Sequence, residues 1–140
     1  MFRSILAILL GFVVAGIVTL LIQIPGYVLY APPQGFDWND AEALRAYAAT
    51  LPPGAFLIVL LSWFAGAFCG AWLAARIARR APLAHALAIG VIQMAAGLYN
   101  LLTLPHPMWF WVAGLAAFPV AAVAAAALNR PKVAPAPVAV

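Results

Sequence analysis

Residues 54–80 read GAFLIVLLSWFAGAFCGAWLAARIARR, an uncharged run of 22 residues followed by three arginines within five positions. At 1.5 Å per residue a helix of that length covers about 33 Å, close to the roughly 30 Å thickness of bilayer hydrocarbon. The run therefore predicts a membrane span over about 54–75, and Arg76, Arg79 and Arg80 mark the side on which it ends.

Three more spans follow from the same criterion. Residues 4–23 carry no charge, 83–104 none beyond His85, and 108–128 none. Pro25 and Gly26 are expected to end or bend the first helix, and Pro105-His106-Pro107 to break the chain between the third and fourth. The first run exceeds the usual signal-peptide core and lacks a clear small-residue cleavage site, so it is expected to be retained as a span. With 68% of the residues hydrophobic and only 7% charged, a water-soluble surface is excluded.

Between the first two spans lies APPQGFDWNDAEALRAYAATLPP, residues 31–53, which holds all three acidic residues. Asn39 followed by Glu42 predicts a capped helix over about 40–51. Ala41, Leu44, Ala48 and Leu51 give it one apolar stripe to lay on the bundle or on the lipid interface, while Glu42 and Arg45 can pair on the wet side. The fold class expected is all-α: residues 1–128 form a polytopic four-transmembrane-helix bundle with a short amphipathic outer helix between helices 1 and 2. Residues 129–140, rich in Pro and Ala, are expected to be a disordered cytoplasmic tail.

Charge sets the orientation. Arg3, Arg76, Arg79, Arg80, Arg130 and Lys132 fall on one side with no acid, whereas the other side has Arg45 against three acids. By the positive-inside rule both termini are cytoplasmic. The scattering of these cations beside spans argues against a nucleic-acid surface, which would gather them on one wet face.

Ladders built on small residues recur every four positions in two spans: Ala7, Gly11, Ala15, Thr19 and Gln23 in the first, Ser62, Gly66, Gly70 and Ala74 in the second. Such ladders let helix backbones approach closely, the usual source of packing energy where no hydrophobic drive operates. They can equally serve self-association or a membrane-protein partner. In the third span Ala86, Gly90, Gln93, Gly97, Asn100 and Leu104 fall within about 80° of one another. Gln93 and Asn100 are candidate polar residues at membrane depth. They are expected to hydrogen-bond between helices, or alternatively to line a cavity that binds or passes a small solute.

No catalytic or cofactor constellation emerges. His85 and His106 are 21 residues apart on one helix, about 30 Å, and cannot serve one site within a subunit. Cys69 has no second cysteine with which to form a disulfide or a cysteine metal set. The acids sit in the outer segment, away from Ser4 and Ser62, and no phosphate-cradling glycine loop with a lysine is present. The expectation is a non-enzymatic protein without metal or cofactor, with the bilayer as its main partner.

The segment LPPGAFLIVLLSWFAGAFCGAWLAARIARR together with NLLTLPHPMWFW resembles small four-helix integral membrane proteins of bacteria. What carries the resemblance is the paired proline, the W-x-x-G-x-x-x-G ladder and the P-H-P-x-W turn, over roughly residues 50–112. It implies a bacterial inner-membrane location and four helices, and no activity. Other four-helix families differ in the residues that matter. Small multidrug transporters carry a carboxylate in their first helix, disulfide-forming quinone oxidoreductases carry cysteine pairs, and small fluoride channels carry phenylalanine and asparagine boxes not matched here. A structural, accessory or interaction role is the leading expectation.

Overall fold

The computed structural model describes residues 2–78 and 81–129, and Arg79, Arg80, Arg130, Lys132 and the tail from 130 onward lie outside them. The described residues form five α-helices and no strand: α1 Phe2–Leu29, α2 Ala41–Thr50, α3 Pro53–Ala78, α4 Pro82–Thr103 and α5 Met108–Ala127. All but α2 are long and apolar enough to cross a membrane.

Three boundaries differ from the sequence reading. α1 does not stop near Gln23 but passes through Pro25 to Leu29. Proline takes one N–H from the helix and crowds the carbonyl of Leu21, but contacts beyond it hold the last turn. Tyr30 N–H bonds the Gly26 carbonyl at 2.9 Å, and the Tyr47 hydroxyl donates to the Tyr30 carbonyl. α3 likewise continues past Ala75 to Ala78, where the Arg3 guanidinium donates to the Ile77 carbonyl at 2.7 Å and covers a group the helix end leaves unpaired.

The cap of α2 moves by one residue. Asp40, not Asn39, is the N-cap, and its carboxylate accepts from the N–H groups of Glu42 and Ala43. Asn39 is engaged by Asp37 instead, through both its backbone and its side-chain N–H. Two acids in one short loop compete for capping, and the one next to the helical run has the geometry to reach two amides. The expected Glu42–Arg45 pair gives way as well. Arg45 donates to the Thr103 carbonyl at 3.1 Å, serving the carbonyl-rich end of α4 as Arg3 serves α3.

α3 is the packing axis, in contact with α1, α4 and α5, while α4 also touches α1 and α5. α1 runs antiparallel to it, and their small residues interlock. A Cβ on Gly11 would stand 2.7 Å from the Gly70 carbonyl oxygen, and one on Gly66 would stand 2.7 Å from that of Ala15. Those separations bring backbone against backbone. Ala7 and Ala15 are fully buried there, while the opposite side of α1, with Ile5, Leu9, Phe12, Leu20 and Ile24, is exposed.

Around α3 the interior divides into two layers. At the Arg3 end Ala71, Ala74, Ala75, Ala86, Ala122, Ala125 and Ala126 pack around Ile89, so methyl groups and backbone fill the space. Toward α2 the layer is aromatic: Phe56, Trp63, Phe110 and Phe118 with Leu101. Gly97 and Gly114 explain how Trp63 fits between α4 and α5. An added Cβ at Gly114 would press on its indole at 3.0 Å, and one at Gly97 would touch it at 3.4 Å while striking Phe118 at 2.6 Å. Phe118 stacks on Trp63 with centroids 5.4 Å apart.

Candidate functional site

Between the α2 ends of α1, α3 and α4 the helices do not close. They leave a cavity of about 280 Å³, roofed by Leu44, Tyr47, Ala48 and Leu51 of α2 and floored by Trp63. The roof is the apolar stripe of α2, apart from Ala41, which is exposed. Two side-chain bonds to different helices hold α2 in place: Tyr47 to the end of α1 and Arg45 to the end of α4. Burial, and then the neighbouring Tyr27, push the Tyr47 phenol above the usual tyrosine range, so it remains a donor at neutral pH.

A polar chain runs up one wall. Tyr27 donates to the Gln23 amide oxygen at 3.2 Å, and Gln23 Nε2 donates to Ser62 Oγ at 3.0 Å. Ser62 in turn donates to the Val59 carbonyl at 2.7 Å. Ser62 is fully buried, and one turn below, Thr19 donates to its carbonyl at 3.2 Å. The amide that bridges helices is therefore Gln23. It occupies the next four-residue step of the α1 ladder after Thr19, where the spacing makes it look like packing. The available signal was its chemistry, an amide on the face that meets Ser62.

Asn100 is half-buried and lines the same cavity from α4. Gln93, two turns away and about 10 Å along the helix, is half-buried and is not part of the cavity wall. Among the described residues no hydrogen bond engages either side-chain amide, and no fully buried polar side-chain atom is left unpaired. Asn100 thus offers two N–H donors and a carbonyl toward open space.

His106 completes the wall from the α4–α5 turn. Its ring stacks on Phe110 with centroids 5.0 Å apart and meets Phe56 edge-on. Burial lowers its pKa below the ordinary histidine value, against a smaller upward pull from its bond to the Leu104 carbonyl, so the ring is neutral at pH 7. With Nδ1 as donor to Leu104 at 2.8 Å, Nε2 remains an acceptor. Among the described residues no Asp, Glu, Lys or Arg lines the cavity. The wall is uncharged, part aromatic and part aliphatic, punctuated by two amides and the imidazole.

The remaining candidate residues lie elsewhere. His85 sits in the first turn of α4 with its Nδ1 3.1 Å from the Ala81 carbonyl. Gly11, Ala15, Gly66, Gly70 and Ala74 meet along the α1–α3 seam, and Gly90 stands where a Cβ would be 3.0 Å from that of Ala122. Arg76 lies over the Trp72 ring at 5.1 Å. Among the described residues no cluster of three His, Cys, Asp or Glu could hold a metal ion. No family model matches the chain, and no curated protein or solved structure matches it either.

Proposed function

We propose that this chain is a multi-pass protein of the bacterial inner membrane, both termini cytoplasmic, that binds a small uncharged molecule in the cavity beneath α2. One observation carries the reading: a charge-free cavity at the α2 end is lined by Asn100, an amide with no partner among the described residues. Such a group at the edge of hydrocarbon is costly unless water or a ligand supplies its hydrogen bonds. The exposed apolar side of α1 and the confinement of the acids to the α2 segment support the membrane setting.

Binding is favoured over permeation because Trp63, backed by Phe118, floors the cavity and the alanine layer packs beyond it. It is favoured over catalysis because the wall holds no acid, and its imidazole has no carboxylate beside it. A structural or accessory role is the second reading. It draws on the ladders, whose small faces are already engaged between α1 and α3, leaving the outer side of α1 for lipid or a partner helix.

The test is native mass spectrometry of the protein from nanodiscs. Binding requires a neutral small molecule to co-purify and to be lost in Ala48→Trp, which fills the cavity. A protein partner or lone oligomer with no small molecule favours the accessory role. Reporters fused to either terminus are expected to signal the cytoplasm, and a periplasmic signal from the C-terminal fusion would remove one span.

A further inference from the structure

We infer that the cavity accepts a planar, uncharged ring bearing a hydroxyl, a phenol or hydroquinone, stacked among aromatic side chains with its oxygen on Asn100. The inference rests on the reading of this cavity as a binding site and narrows it to a chemical class. Three features select that class.

Size is the first. A cavity of about 280 Å³ has room for about nine waters at roughly 30 Å³ each. It lies just under the range of drug-sized pockets and has room for one substituted six-membered ring. Shape is the second. Phe56 and Trp63, both buried and fixed by their packing against Phe110 and Phe118, line the cavity together with Tyr27 and Tyr47. Flat apolar walls of this kind favour another aromatic ring through offset and edge contacts.

Polarity is the third. The Gln23 oxygen and one of its N–H groups are taken by Tyr27 and Ser62, whereas the Asn100 amide is free to donate and accept together. A hydroxyl does both through a single atom, so one phenolic oxygen satisfies both halves of the Asn100 amide. A charged ligand would enter without a counter-ion, since no ionised side chain lines the wall. A phenol, with a pKa near 10, is neutral at pH 7. The same ring could arrive dissolved in water or carried on a lipid tail, and the two sources are separable by experiment.

The probes are 4-methoxyphenol, its ether 1,4-dimethoxybenzene, the saturated analogue 4-methoxycyclohexanol, and tailed 4-octylphenol. Each is titrated by calorimetry into the full chain in nanodiscs, against empty nanodiscs. The expected result is saturable binding of 4-methoxyphenol, about tenfold tighter than either tail-less analogue. Asn100→Leu is expected to erase the preference of phenol over ether. Asn100→Ala gives the same readout should Leu fail to fold, as judged by circular dichroism and melting. A tighter 4-octylphenol complex, after correction for partitioning, assigns the ligand to a lipid-borne ring, and equal affinities assign it to a free one.

Equal binding of the ether or of the saturated ring overturns the proposed class while leaving a binding cavity in place. Absence of any probe binding also overturns the class. Whether the cavity reading falls with it is decided by a cysteine placed at Ala55 in a Cys69→Ala background. If that cysteine still reacts with a small thiol reagent, the cavity stands without this ligand, and if it does not, both claims fall.

Discussion

The two ends of the α1–α3 interface are built on opposite principles. From Ala7 to Ala15 the facing residues on both helices are Gly and Ala, backbones meet, and no space is left. From Gln23 to Tyr30 an amide and two tyrosines join Gly26, which faces Ile58, and a cavity opens beside them. Both ends lie on the same helix pair, so side-chain size alone turns a seam into a site. Glycine lets the backbones close at one end, and larger amphipathic side chains line the end that stays open.

The largest way to break this contrast is to put bulk into the seam. Gly66→Leu or Gly70→Leu should cost more than about 3 kcal/mol, because the new side chain meets backbone that cannot yield. The observable is melting temperature in mild detergent, and an unchanged value would discard the close-approach account. Gly16→Leu is the matched control. Gly16 lies on α1, the other helix of the seam, with nothing within 4 Å of its added Cβ, and the change should stay within about 0.5 kcal/mol. Gly97→Ala falls between the two, at about 1–3 kcal/mol, because its Cβ would strike the Phe118 ring at 2.6 Å.

At the open end the effects are smaller. Ser62→Ala removes the acceptor for Gln23 and should cost about 1 kcal/mol, with Gln23→Leu failing to add fully to it in the double variant. Additive losses would mean that the two side chains do not act as one chain. The smallest effect is on pH. A folded pKa below that of the unfolded chain means the unfolded chain binds a proton first as pH falls. His106 therefore contributes stability above about pH 6.5 that is lost progressively below it. His106→Phe should flatten that part of the melting-versus-pH curve, and an identical curve in both proteins would contradict the buried neutral ring.

Helix number and approximate bounds were legible because uncharged runs of bilayer length leave few alternatives. The ends were less so, since they depend on partners distant in sequence: Arg3 on Ile77, Tyr47 on Tyr30, Arg45 on Thr103. Local pattern carries no record of such pairs. The α2 stripe of Leu44, Ala48 and Leu51 was readable as a face, yet what it covers was not. Asn100 stood out as an amide in an apolar helix. Gln23 did not, because its four-residue spacing placed it in line with packing residues, and only the meeting with Ser62 separates the two roles.

The contrast between a sealed and an open end is tested most directly by thiol accessibility. In the Cys69→Ala background, single cysteines replace Ala55, on the cavity wall, and Ala71, fully buried in the alanine layer. Both are on α3 and both are nearly inaccessible to bulk solvent. With a small methanethiosulfonate reagent added to the folded protein in nanodiscs, the cysteine at position 55 is expected to react at least tenfold faster than that at position 71, and Ala48→Trp should slow it. Equal rates, or faster reaction at position 71, would contradict the account.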